Sequence, residues 1–203
     1  MKHIYHEPKN GSQEVLLLLH GTGGNEEDLL PLAEMIDPDA AVLGVRGNVD
    51  ENGMNRFFRR LQEGVFDEAD LIFRTGELHN FIDQASQDYG FERENVTAVG
   101  YSNGANIAAS LLYHYENPLK QAYLFHPMVP RRGIDLPDMK GLPVFIGAGS
   151  NDPICAPEET EELHKHLQEA GADVKLYWAD QGHQLTREEV EEARSFYVKK
   201  KGE

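Results

Sequence analysis

Short apolar runs alternate with amphipathic segments along the whole chain, and this alternation restricts the fold more than any other feature. A run of about four to eight apolar residues has the length of a strand buried on both faces, whereas a longer stretch with apolar residues three and four apart has the pattern of a helix. Strands are expected over 14–20, 40–46, 95–101, 121–125, 143–148 and 174–178. Helices are expected over 25–36, 66–89, 103–115 and 157–170, with a last one opening at Thr186. Asn25 stands where a cap belongs, Gly90 and Gly171 stand where helices stop, and Thr186 with Glu189 makes a capping box. The long helix should turn Leu71, Leu78, Phe81, Ile82 and Ala85 inward. Strands separated by helices imply an α/β fold, with a mostly parallel central sheet and helices on both faces. The connections are short, which leaves no room for a large cap domain. Residues 47–58 are rich in Gly and Asn and read as a loop too polar for a core element. The end, KKKGE, reads as a frayed helix terminus.

Length and charge bound the function. The 203 residues suit a single domain over 1–203, large enough to bury about 70% of the surface its unfolded chain exposes. A net charge of −16 argues against a general grip on nucleic acid or anionic lipid. Val15–Leu19 is the longest aliphatic run, far short of the ~20 residues of a membrane span. The first residues lack the apolar stretch of a secretory signal. Cys155 is the single cysteine, so neither an intrachain disulfide nor a four-thiolate zinc site can form. A cytoplasmic protein is the simplest expectation.

Gly100-Tyr101-Ser102-Asn103-Gly104 is a G-x-S-x-G motif between an expected strand and an expected helix. A serine at such a sharp turn is pushed out of the sheet, and the flanking glycines let strand and helix approach. A hydroxyl is a weak nucleophile and needs a base, which needs an orienting acid. The expected chain order is Ser, acid, His. Asp152 follows the strand over 143–148, and His183 precedes the last helix, so both belong at the same sheet edge as Ser102. Asp180 also follows a strand but stands three residues from His183, and Asp135 and Asp138 lie in a proline-bearing loop; all three read as solvated. His3 and His6 fall on the amino-terminal tail, and His79, His164 and His166 on helix faces. His126 competes as the base but precedes the acid, so it reads as a pocket wall. His20-Gly21-Thr22-Gly23-Gly24 lets main-chain amides turn inward after the first long strand. Thr22 and Asn103 are therefore the expected backbone donors of an oxyanion hole. Arg56 reads either as a surface arginine or as a cationic contact for an anionic substrate group, with Phe57 and Phe58 as an apolar wall.

LLLLHGTGG, GYSNGAN, GSNDPIC and GHQL, in that order, resemble the phospholipase/carboxylesterase family of small serine α/β-hydrolases, which includes acyl-protein thioesterases. The likeness extends to short bacterial members linked by name to hydroquinone. It implies an α/β-hydrolase fold, Ser102, Asp152 and His183 as nucleophile, acid and base, Thr22 and Asn103 as the oxyanion hole, and in many relatives a homodimer. The chain departs from the family's Met-x-x-Trp-Phe/Tyr-Asp segment, with Phe57 in place of Trp and Arg59 in place of Asp. A serine at the nucleophile position argues against a dienelactone-hydrolase label, because that chemistry uses cysteine. Cys155 reads as a small buried residue.

The expected activity is hydrolysis of small carboxylic esters, or thioesters, through an acyl-enzyme, with no cofactor and no metal. Two other classes compete. A non-catalytic ligand sensor would keep the pocket and show little turnover. A metal-dependent ring-cleaving dioxygenase would need two histidines and a carboxylate gathered together, and no such set falls on a common pair of strands.

Overall fold

Every residue of the run Val15–Leu19 is buried, and alternate residues enter two different cores. Such a strand lies inside a sheet covered on both faces. The computed structural model describes residues 1–202. Its elements in chain order are β1 (His3–His6), β2 (Val15–Leu19), α1 (Leu30–Ile36), β3 (Ala41–Val45), β4 (Val49–Glu51), β5 (Met54–Arg56), β6 (Arg60–Gln62), β7 (Val65–Phe66) and α2 (Glu68–Tyr89). There follow β8 (Val96–Tyr101), α3 (Asn103–His114), β9 (Gln121–Phe125), β10 (Pro143–Gly149), α4 (Pro157–Glu169), β11 (Asp173–Ala179) and α5 (Arg187–Lys201).

The main sheet runs β1-β3-β2-β8-β9-β10-β11, with β1 antiparallel to β3 and every other pair parallel. Leu17 and Leu19 join the core under α2, α3 and α4, through residues such as Leu78, Leu111 and Leu163. Leu16 and Leu18 join the core under α1 and α5, with Ile36, Val190 and Tyr197. This is the expected two-faced α/β arrangement, and it is an α/β-hydrolase fold with no cap domain among the described residues. No helix among the described residues is long and apolar enough to cross a membrane.

Four local expectations are corrected. A helix beginning at Asn25 would carry Pro31 in its interior, where the ring removes a hydrogen bond and clashes with the preceding turn. The regular helix accordingly begins at Leu30, with Pro31 in its first turn, and Asn25 instead closes a turn on the Glu27 amide at 2.8 Å. His3 and His6 do not lie on a tail: they begin and end an edge strand, in register with Val45 and Val42. Residues 47–58 are not a solvated loop. They contain the β4–β5 hairpin, beyond which Phe57 and Phe58 are 1% and 0% exposed. Finally, the KKKGE segment is ordered as far as it is described: Lys199–Lys201 continue α5 as helix, with Lys201 Nζ 2.6 Å from Asp37 Oδ2, and the Gly202 amide caps it on Lys199 O; Glu203 lies outside the described residues.

Other local signals hold. Gly90 ends α2 at φ 71°. The Thr186 side chain accepts from the Glu189 amide while Glu189 Oε2 accepts from the Thr186 amide, which completes the capping box.

Candidate active site

Strand pairing explains why distant residues meet. Ser102 follows β8, and its amide donates to Phe125 O at the end of β9, next to His126. Gly149 at the end of β10 lies in register with Ala179 at the end of β11. The loops carrying Asp152 and His183 therefore leave the sheet side by side, and Asn151 ties them together by accepting from the Gly182 amide and donating to Asp180 O. Four parallel strands end at one rim, which is where ligands of open α/β sheets bind.

Ser102 holds φ 51° and ψ −112°, a strained conformation for a non-glycine residue. A Cβ at Gly100 would come within 2.6 Å of Gly104 O, so the close turn needs a glycine there. His183 Nε2 lies 2.8 Å from Ser102 Oγ, and His183 Nδ1 lies 2.6 Å from Asp152 Oδ2. Asp152 Oδ1 accepts from the amides of Ile154 and Cys155 at 2.8 and 3.0 Å. Burial disfavours the ionised carboxylate, but those two amides and the imidazoles of His183 and His126 outweigh it and hold the Asp152 carboxyl below its ordinary range. The Tyr101 hydroxyl donates to His183 O at 2.6 Å and steadies the histidine loop.

Beside Ser102 opens a cavity of about 350 Å³, lined by Thr22, Asn103 and Arg56 among others. Asn103 begins α3, where main-chain amides lack helical partners. The amides of Gly23 and Gly24 are already taken by Asn55 O and Gly21 O, and Asn55 Nδ2 donates to Gly24 O. β5 thus clamps the glycine loop against the cavity.

Arg56 is not a surface arginine. It is 4% exposed, and it donates from Nη1 to Thr22 Oγ1 and from Nε to Phe58 O. Among the described residues no carboxylate lies within ion-pair distance of it. Its neighbour Arg60, by contrast, is held bidentately by Glu51. Phe57 and Phe58 do not form the expected apolar wall: both point into the core and neither lines the cavity. Phe66, Met128 and Ile154 supply the apolar lining instead. Sequence reasoning missed these three, together with Arg60 and Glu63 around β6 and β7 and Asn106 on α3, because segments remote in the chain become walls only when they close over Ser102. Tyr101 was accessible as the residue preceding the serine in the motif.

His126 lines the cavity as expected, but it is also 1% exposed and contacts Asp152 Oδ2 through Nδ1 at 3.0 Å. Ligand-type atoms of His126, Asp152 and His183 lie within 4.8 Å of one another, so the structure does gather the two histidines and one carboxylate that the strand spacing did not predict. They converge from three loops rather than from a strand pair. Both Nδ1 atoms already donate to the same Asp152 oxygen, and a cation would have to displace those bonds. Asp135, Asp138 and Asp180 are exposed as expected.

Cys155 is buried, its thiol donates to Pro127 O, and burial pushes its pKa up to about 12. Iodoacetamide at pH 8 is expected to leave it unmodified in the folded protein and to alkylate it fully in urea. Rapid labelling of the native protein with loss of activity would contradict this.

A sheet of this topology, with a strained serine, an imidazole and a carboxylate at the carboxyl ends of its strands, defines an α/β-hydrolase. The chain belongs to the dienelactone hydrolase family, which it matches over residues 42–202. That corrects the expectation drawn from the serine. A strand–turn–helix presents whatever side chain stands at its tip, so a serine there is compatible with membership of that family. The chain is 65% identical over 197 residues to the putative hydrolase MhqD of Bacillus subtilis strain 168, covering 97% of this chain and 98% of the relative. The crystal structure of a Bacillus cereus carboxylesterase is 62% identical, with a TM-score of 0.97 over 98% of this chain and 94% of that one. The structure of YahD with malic acid is 28% identical, with a TM-score of 0.93 over 98% of each chain.

Proposed function

We propose that this carboxylesterase-type hydrolase cleaves small carboxylic esters through an acyl-enzyme on Ser102. The observation that carries the reading is the contact chain from Ser102 Oγ through His183 to Asp152, at 2.8 and 2.6 Å, on the wall of a cavity. His183 Nε2 takes the serine proton as Oγ attacks the substrate carbonyl, and Asp152 holds the ring in the required tautomer and stabilises its cation. The backbone amides of Thr22 and Asn103 receive the negative charge that develops on the carbonyl oxygen, each contributing about 3–4 kcal/mol of transition-state stabilisation. His183 then protonates the leaving alcohol, or thiol, and water enters by the same route to release the acid. The Bacillus cereus relative bears the name carboxylesterase, which agrees with this chemistry.

Labelling with a fluorophosphonate, followed by peptide mapping, tests the assignment: the adduct is expected on Ser102, and an adduct elsewhere refutes it. A panel of esters and thioesters then separates the two leaving groups. A ligand sensor on the same frame would bind panel members without turning them over.

Arg56 supports a finer reading, in which the substrate carries an anionic group. A buried guanidinium that faces the cavity without a carboxylate partner is matched by a carboxylate or phenolate. Malic acid, present with the relative YahD, is a small dicarboxylic acid and agrees with this. Arg56→Gln is expected to lower kcat/KM about 10–100-fold more for an anionic ester than for a neutral ester of equal size, the scale of one charge-assisted hydrogen bond. The comparison is needed because Arg56 also braces Thr22, so some loss falls on both substrates. Equal losses on the two would remove the anion reading.

A further inference from the structure

The Asp152 carboxylate serves two imidazoles, and the second has no place in the reaction described above. His126 sits at φ 54° directly after β9, with both side chains of the His126–Asp152 contact at most 1% exposed. Its other nitrogen, Nε2, lies 3.1 Å from Glu189 Oε1, and both of those side chains are 0% exposed. The two atoms do not form a hydrogen bond at that distance, and among the described residues neither Nε2 nor Oε1 has a hydrogen-bond partner. Glu189 cannot turn away: its Oε2 accepts from the Thr186 amide and hydroxyl at 2.8 and 2.9 Å, which fixes the carboxylate at the start of α5. Gly147 leaves the room this needs, since a Cβ there would stand 2.9 Å from Oε1.

A neutral, unprotonated Nε2 and a carboxylate oxygen buried 3.1 Å apart repel, whereas a proton on Nε2 turns the contact into an attraction between opposite charges. With Nδ1 already donating to Asp152, a second proton on Nε2 makes the ring a cation between two carboxylates. Resting on the triad assigned to Ser102, His183 and Asp152, we infer that His126 is a positioning residue of the hydrolysis: as a buried imidazolium between Asp152 and Glu189, it fixes the triad carboxylate that orients His183. Burial works against a charged His126, but the Glu189 and Asp152 carboxylates outweigh it and raise its pKa above the ordinary histidine value.

The charged and titratable groups around His126 come from every element packed on it. Asp152 approaches from the loop after β10 and Glu189 from α5. His183, from the loop before α5, has its ring centroid 5.2 Å away, and Tyr101, ending β8, stands edge-on at 6.0 Å. Without the His126 contact, the Asp152 carboxylate keeps only its amide bonds through Oδ1 and its contact with His183 through Oδ2, and it can turn away from the orientation His183 needs.

His126→Asn suits the test, because asparagine tolerates a positive φ. Its kcat is expected to fall about 10-fold with KM little changed, a loss much smaller than that caused by Ser102→Ala. Nitrogen-resolved NMR of the wild-type imidazoles supplies a measurement that needs no variant. At pH 7, one buried ring assigned to His126 is expected to carry protons on both nitrogens, and in Glu189→Gln, which retains the cap, on Nδ1 alone. A His126→Asn kcat equal to wild type, or an unprotonated Nε2 in the wild-type ring, overturns the inference while fluorophosphonate labelling of Ser102 still stands. Full turnover by Ser102→Ala overturns the triad itself, and the inference with it.

Discussion

Ser102→Ala is expected to lower kcat by about 10⁴–10⁶-fold and to abolish fluorophosphonate labelling, with binding of the ester hardly altered. Removing Oγ leaves His183 and Asp152 in contact, so the base survives with nothing to activate. The residual rate is that of the oxyanion donors and of proximity alone. Ser102→Gly separates chemistry from stability. The wild-type residue stands at φ 51° and ψ −112°, which costs about 1–3 kcal/mol for a residue with a Cβ. Glycine relieves that strain and loses part of the gain to backbone entropy. A net stabilisation of about 1 kcal/mol, or about 2–4 °C in Tm, should accompany complete loss of activity. Steady-state kinetics and a thermal melt check both halves. Retained turnover in Ser102→Ala would end the acyl-enzyme reading, and an unchanged or lowered Tm in Ser102→Gly would show that the turn is not strained.

Gly104→Ala is expected to be the most destabilising single-methyl change in the molecule's active-site turn. A Cβ at this position would overlap the Leu19 carbonyl outright and come within 2.6 Å of His20 O. Both obstacles are backbone of the central strand β2 and its exit, with no side chain that can swing aside. Relief requires α3 to move off β2, and that movement carries Asn103 away from Thr22. A loss of about 3 kcal/mol or more, the upper end of overpacking, corresponds to a fall in Tm of about 6–12 °C. Activity should fall further than stability explains, because the two amides proposed for the oxyanion no longer face one point. Chemical denaturation gives the first quantity and kcat at a temperature where the variant is folded gives the second. A Tm within two or so degrees of wild type would mean that helix and strand are less tightly apposed than the structure describes.

Several features were legible in the sequence because their causes are local. Val15–Leu19 is wholly apolar and becomes a doubly covered strand. Thr186 and Glu189 are three residues apart and close their capping box without help from elsewhere. The glycines around Ser102 announce the turn, and the order Ser102, Asp152, His183 announced residues that the sheet brings within 2.6–2.8 Å steps. Other features were hidden because their causes are not local. β1 contains two histidines in four residues and is a strand only because β3 offers it an edge. Phe57, Phe58 and Arg56 follow a polar, Gly-bearing stretch, and their burial depends on the core and glycine loop against which the hairpin folds. The Pro31 effect was readable and outweighs the apolar spacing that extended the helix to Asn25.

Neighbours within a few positions dictate the order of the central parallel strands and their helices, the strained serine turn and the chemical types of the residues that follow it. Which imidazole touches Ser102, that a second one shares Asp152 with it, and that a guanidinium faces the cavity with no carboxylate among the described residues at ion-pair distance follow only from the packing of the folded chain. Those are matters of distance and dielectric between loops remote in the chain. Both are set by how the sheet brings its strand ends to one rim and how the surrounding core excludes water from it.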